Sequence, residues 1–299
     1  MTKVTTLAEA VASIPSGAHV ALSGFATARC AMAFAHELIR QGTNRLTVSQ
    51  CVAGMEADML IGAGAVERIV SGGGSRGRSG QHSCICWAIE QGTLITEELS
   101  SLSMTFRNLA GALGLPFIPI RSLNGSDILD RLQQITPPVV GRLTDPFTGD
   151  EWLVLKPLTP DVAVIQVQLA DEEGNAWILG PRWDNEEQAK ASKRTIVITE
   201  RLVSTEAIRR EPDRTVIPGF RVSHVVHLPF SAHPSSVYSI YDFDEAHIDL
   251  YAEGSKTPQG FQQYLDKYVY GVKDHWGYLE LVGGMQRMKE LEADPVLGY

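Results

Sequence analysis

The sequence predicts an open α/β fold: a mostly parallel sheet with helices on both faces, built as one domain from residues 1–299. Three observations carry this. Short β-rich apolar runs alternate with helical patterns through the first half of the chain, which implies parallel pairing through right-handed crossovers. Two helical patterns stop on a glycine, where a left-handed cap belongs. Farther on, two runs are apolar almost throughout, as strands covered on both faces must be.

Residues 20–23, 46–50, 68–71 and 117–120 read as strands of that sheet. Between the first two, Ala31, Phe34, Ala35, Leu38 and Ile39 share one helix face, and the pattern ends at Gly42. Leu99, Leu102, Phe106, Leu109 and Leu113 repeat it, with Gly114 as the stop. The Pro- and Gly-rich segment 136–150 breaks all periodicity and reads as an irregular surface excursion. Val162-Ala163-Val164-Ile165-Gln166-Val167 and residues 195–199 continue the sheet. Thr257-Pro258 supplies an N-cap and a first-turn proline for a helix whose Phe261, Tyr264, Leu265 and Tyr268 form a stripe, and a last helix is expected near residues 285–291.

With 35 acidic against 26 basic residues, the formal charge of −9 argues against coating a nucleic acid, so any anionic ligand must be held locally. No apolar run approaches the roughly 18 residues of a membrane span. The first residues lack the basic start and apolar core of a secretory signal, so a cytoplasmic protein is expected. Four cysteines are too few for a disulfide framework in a chain this long, and reduced thiols are expected.

Several motifs compete around one loop. Gly72-Gly73-Gly74-Ser75-Arg76-Gly77 matches G-x-G-x-x-G after a strand, but no helix opens at its last glycine to face a pyrophosphate, which argues against NAD. Gly73-Gly74-Ser75-Arg76-Gly77 also fits G-x-S-x-G. With Asp184 and the histidines His224, His227 and His233 downstream, the order of a serine hydrolase using Ser75 is formally available. A plain glycine turn is the bland reading. Arg76 and Arg78 favour anion binding, because guanidinium groups and backbone N–H groups there can meet a phosphate or carboxylate. His82, Cys84 and Cys86 have the wrong spacing for zinc, and strand alternation puts His224 and His227 on opposite faces, so no metal site is expected. His233-Pro234 lies among small residues and reads as a tight surface loop, its imidazole either substrate-facing or pinning that loop.

The stretch from Val226 through His233-Pro234-Ser235, followed by Tyr241-Asp242-Phe243-Asp244-Glu245-Ala246-His247, resembles the A (alpha) subunit of class I coenzyme A transferases, the branch that includes glutaconate CoA-transferase. The likeness is collinear. Ala110-Gly111-Ala112-Leu113-Gly114-Leu115-Pro116-Phe117 is similar to that subunit's A-G-A-L-G-V-P-F segment, and Asp171-Glu172-Glu173-Gly174-Asn175 to its D-x-x-G-N turn. Gly180, Asp184, Ala189 and a strand ending in Glu200 follow in the same order.

The resemblance implies a reaction in which a glutamate carboxylate attacks an acyl-CoA thioester and CoA passes through a glutamyl thioester to a second acid. The substrates would be acyl-CoA and a small carboxylic acid, with CoA part of the substrate and no permanently bound cofactor. The thioester oxyanion would meet the turn Ser23-Gly24-Phe25, with Gly73, Gly74, Ser75, Arg76 and His233 as further substrate contacts. This turn has one glycine where many transferases have several, and Ala31-Met32-Ala33 stands where relatives often read Pro-Met-Ala. No Glu-Asn-Gly nucleophile motif occurs, so the resemblance implies a B subunit that supplies it, in a heterodimer or heterotetramer. A related branch comprises hydrolases that open rings of steroid-derived acyl-CoAs. That likeness implies Glu98 as a catalytic base, whereas Glu97 and Glu98 ahead of a helix also fit a simple dipole preference.

Overall fold

The computed structural model describes residues 2–298. Strands β1 (His19–Leu22), β2 (Leu46–Gln50), β3 (Val66–Ser71), β4 (Ile95–Glu98), β5 (Ile118–Ile120), β6 (Val140–Thr144), β7 (Glu151–Leu155), β8 (Val162–Ala170), β9 (Ala176–Trp177), β10 (Arg194–Leu202) and β11 (Val222–His227) form two sheets. The larger has the order β11-β10-β8-β1-β2-β3-β4, all parallel, with the short β9 antiparallel to β8. The open α/β fold expected from the alternation is the one observed.

Strand order follows from burial. Along β8, Val162 and Val164 enter one core with Leu22, Ile196 and Phe34, while Ala163, Ile165 and Val167 enter the core on the opposite face. A strand buried on both sides belongs in the middle of a sheet, and β8 lies between β10 and β1. Helices Met32–Gln41 and Ser101–Leu113 end on Gly42 (φ 71°) and Gly114 (φ 68°), both left-handed. Thr257 accepts the Gly260 N–H ahead of helix Pro258–Leu265, whose Phe261, Tyr264 and Leu265 are buried.

Three expectations need correcting. β5 lies outside the main sheet, in a small antiparallel sheet of order β5-β7-β6. The 136–150 segment is less irregular than expected, since β6 pairs with β7 along five residues and Asp145 Oδ1 accepts the Phe147 N–H in the connecting turn. Glu97 and Glu98 do precede a helix, but they end an edge strand, β4, that the sequence did not suggest, and the helix starts at Ser101 after the Ser100 cap instead of at Leu99. Among the described residues no helix is long and apolar enough to cross a membrane.

Candidate active site

Parallel strands end on one rim, and the rim of β1 to β4 carries most of the residues singled out in the sequence. The ladder continues past the strands: Ala26 N–H donates to Val52 O, Ala53 N–H to Gly73 O at 2.9 Å, Ser75 N–H to Ala53 O at 3.1 Å, and Leu99 N–H to Ser71 O at 2.9 Å. The turns after β1, β2 and β3 thereby form one surface at the carboxyl ends of these strands. Gln50 stitches it from beneath, its amide donating to Ser23 O (2.8 Å) and Glu56 Oε1 (2.6 Å) and accepting from Gly54 N–H (3.2 Å).

Beside the Gly73–Gly74 turn opens a groove of about 440 Å³, floored by Ser71 and Thr96, walled by Ile85 and Ile89, and rimmed by Glu98 and Arg131. Bonding in the Gly73–Ser75 turn alternates. The Gly73 carbonyl and Ser75 N–H face Ala53, so Gly74 N–H points the other way and donates no hydrogen bond among the described residues. Gly74 also has to be glycine for His82, because a Cβ there would come 2.7 Å from the His82 ring.

Strand alternation gives the two neighbouring glutamates opposite fates. Glu97 borders the groove but is turned into its wall, 8% exposed, where it bridges Arg68 and Arg107 at 2.9 Å each. Glu98 lines the groove, is 49% exposed, and among the described residues pairs only with Arg131, at 3.3 Å. A carboxylate held so loosely is available to a ligand.

The β1 turn is tighter than a simple oxyanion cradle. Ser23 is buried, its Oγ taking the Gln166 N–H and donating to Arg29 O. Phe25 N–H is already bonded to Ala28 O at 2.9 Å, which leaves Gly24 N–H as the turn's donor without a partner among the described residues. Gly24 has φ 97°, and a Cβ there would press on Arg29 O at 2.9 Å.

Three of the expected contacts do not face the groove. Arg76 turns inward and is 3% exposed, its guanidinium 3.1 Å from Ser255 Oγ and 3.9 Å from Asp58. Ser75 Oγ accepts the Gly77 N–H, and no hydrogen bond among the described residues joins it to a histidine. His233 is 1% exposed instead of lying on a surface loop. Its Nδ1 bonds Tyr278 OH (2.8 Å) and its Nε2 bonds Asp244 (3.1 Å), so the imidazole pins the Pro234 turn from within.

Residues not foreseen complete the rim. Asp58 is fully buried in helix Met55–Gly62, accepts the Ile85 N–H and Tyr251 OH, and lies 4.0 Å from His82 Nδ1, a nitrogen with no hydrogen-bond partner among the described residues. Burial lowers the His82 pKa and keeps the ring neutral. Behind the rim, burial pushes Glu56 and Glu200 each up to about 7, and Asp184 up to about 6. Nothing in the sequence joined these acids to partners such as Asn108 for Asp184 and Gln166 and Tyr241 for Glu200, which come from distant segments.

A model of the coenzyme A transferase family matches residues 4–228, most of the chain. The chain belongs to the coenzyme A transferase family. Within it, the alpha chain of glutaconate CoA-transferase from Acidaminococcus fermentans is 36% identical across 100% of this chain and 97% of its own length. The crystal structure of that enzyme superposes with a TM-score of 0.94 at 34% identity, covering 100% of this chain and 98% of the other. An uncharacterised protein of Archaeoglobus fulgidus is 39% identical over 97% of this chain, which spans only 64% of that longer relative. The cholesterol ring-cleaving hydrolase IpdA subunit of Rhodococcus jostii is 30% identical over 92% of this chain and 94% of its own.

Proposed function

We propose that this family member is the alpha chain of a two-subunit CoA-transferase that moves CoA from an acyl-CoA thioester to a small or medium carboxylic acid. The observation behind this is the rim itself: an open groove beside a glycine turn whose Gly74 N–H has no partner among the described residues, in a chain without a Glu-Asn-Gly motif. The fold and identity shared with the alpha chain of glutaconate CoA-transferase support the same reading. In this reading the nucleophilic glutamate comes from the B subunit. Its carboxylate adds to the thioester carbonyl, and the oxyanion is stabilised by backbone N–H groups such as those of Gly24 and Gly74. CoA thiolate leaves, then attacks the glutamyl carbonyl of the mixed anhydride, releasing the first acid and leaving CoA on the enzyme. The acceptor acid reverses these steps. The half-buried to buried unpaired thiols fit a reducing compartment such as the cytoplasm.

The position of Glu98 favours one second reading, a ring-opening acyl-CoA hydrolase in which its carboxylate acts as base, in keeping with the likeness to the hydrolase relative. One experiment divides the two. The chain is co-expressed with a B subunit encoded beside it and incubated with acyl-CoA, with and without acetate or succinate, and borohydride-sensitive adducts are sought on each chain. Transfer predicts acceptor-dependent turnover and an adduct on the partner. Full transfer by this chain alone rejects the proposal, and unchanged turnover in Glu98→Gln removes Glu98 from the chemistry under either reading.

A further inference from the structure

We propose that the crevice between the ends of β1 and β8 is a carboxylate-binding site, with Arg29 as its cation, that takes the free carboxylate of a dicarboxylic acid or of its acyl thioester. Its role as a substrate site rests on the transferase reading; the anion site itself does not.

Arg29 is 1% exposed. Its Nη1 donates to Gln166 O (3.2 Å) and its Nη2 to Pro181 O (2.7 Å), and among the described residues no carboxylate forms an ion pair with it. Buried charges are ordinarily matched by an opposite charge, because carbonyl dipoles offset only part of the desolvation cost. Burial lowers the Arg29 pKa to about 10, so the guanidinium stays charged at neutral pH.

The charge also stands where a ligand is expected. From β1 the chain adds β2, β3 and β4 on one side, then β8, β10 and β11 on the other, so the strand order reverses between β1 and β8. Open parallel sheets bind ligands in the crevice at that reversal. Here the crevice is a pocket of about 180 Å³, lined by Arg29, Trp183, Ser236, Tyr238 and Tyr241. Among the described residues its one acid is Asp242, which accepts the Phe243 N–H and makes no ion pair with Arg29.

The cation is held in a fixed orientation. Trp183 stacks on Phe25 (5.3 Å, 13°) and lies 4.8 Å from the Arg29 guanidinium. Arg29 (φ 52°) and Trp183 (φ 48°) both hold left-handed backbone conformations, a strain that collects at ligand sites. Phe25, which Trp183 stacks on, belongs to the same turn as Gly24, so the crevice and the proposed oxyanion donor share that turn.

The test is direct binding to the full chain, measured by calorimetry with glutarate, glutaryl-CoA and the monocarboxylate butyrate. Glutarate is expected to bind roughly tenfold or more tighter than butyrate, and Arg29→Met to erase the difference. If Arg29→Met does not fold, Ser236→Asp serves instead: a carboxylate introduced into the crevice that Arg29 also lines should abolish glutarate binding. Asp242→Asn should tighten it. Equal binding of glutarate and butyrate, or glutarate binding indifferent to both Ser236→Asp and Asp242→Asn, overturns the site. Where neither free acid binds measurably, glutaryl-CoA binding that Arg29→Met or Ser236→Asp weakens keeps the site and assigns it to the thioester, and glutaryl-CoA binding indifferent to both overturns it. A chain that binds glutarate through Arg29 yet transfers no CoA keeps the site and defeats the transferase reading.

Discussion

Replacing Glu97 by glutamine should damage the fold, while the same change at Glu98 should leave it intact. Glu97 is 8% exposed and accepts from Arg68 and Arg107, the latter 4% exposed. Arg107 also donates from Nε to Lys156 O, and its own carbonyl takes the Leu158 N–H, so one carboxylate locks β4, helix Ser101–Leu113 and the approach to β8. Removing its charge strands a buried guanidinium. Breaking a buried pair in this way costs about 3 kcal/mol, and for a chain of this length that lowers the melting temperature by about 5 °C. The Glu98–Arg131 pair, 49% and 75% exposed, is screened by water, and its loss should stay within about 0.5 kcal/mol. Thermal and urea melts of the two variants, followed by circular dichroism, make the comparison. Equal stability of the two variants, or a Glu97→Gln protein that melts with wild type, would refute the inward–outward assignment of β4.

Gly111→Ala places a methyl group against Leu158 O and Ala191, so it should destabilise by about 3 kcal/mol; a melt matching wild type would mean the helix has room to shift. Glu200 tests the pH dependence. Burial, against hydrogen bonds from Tyr241, Phe230, Ser231 and Gln166, raises its pKa from 4.5 to about 7. The folded state therefore binds more protons than the unfolded one between those values, and the contribution to stability is full below 4.5 and lost as pH rises through about 7. Denaturant midpoints of Glu200→Gln should fall less steeply than wild type between about pH 5 and 8. Parallel curves would place the proton elsewhere.

Most of the main sheet was legible because its central strands are apolar on both faces, a signal carried within each segment. Val162 to Val167 needed no distant partner to be read as a buried strand. β4 failed for the opposite reason. Ile95-Thr96-Glu97-Glu98 is polar at three of four positions, and the burial of Glu97 is explained by Arg68 and Arg107, which belong to other elements. The small neighbours of His233 suggested a surface loop, whereas Tyr278 and Asp244 bury it. Arg76 matched a phosphate-binding pattern along the chain, but Asp58 and Tyr251 draw it inward. Arg29 carried no motif; its isolation becomes visible only once β1 and β8 lie side by side.

That adjacency also governs how the protein is made. Leu22 pairs with Val164, so one flank of the first strand stays bare on the ribosome until more than half the polypeptide has emerged. Exposed strand flanks in nascent chains invite aggregation, and slow translation before Val162 would prolong that hazard.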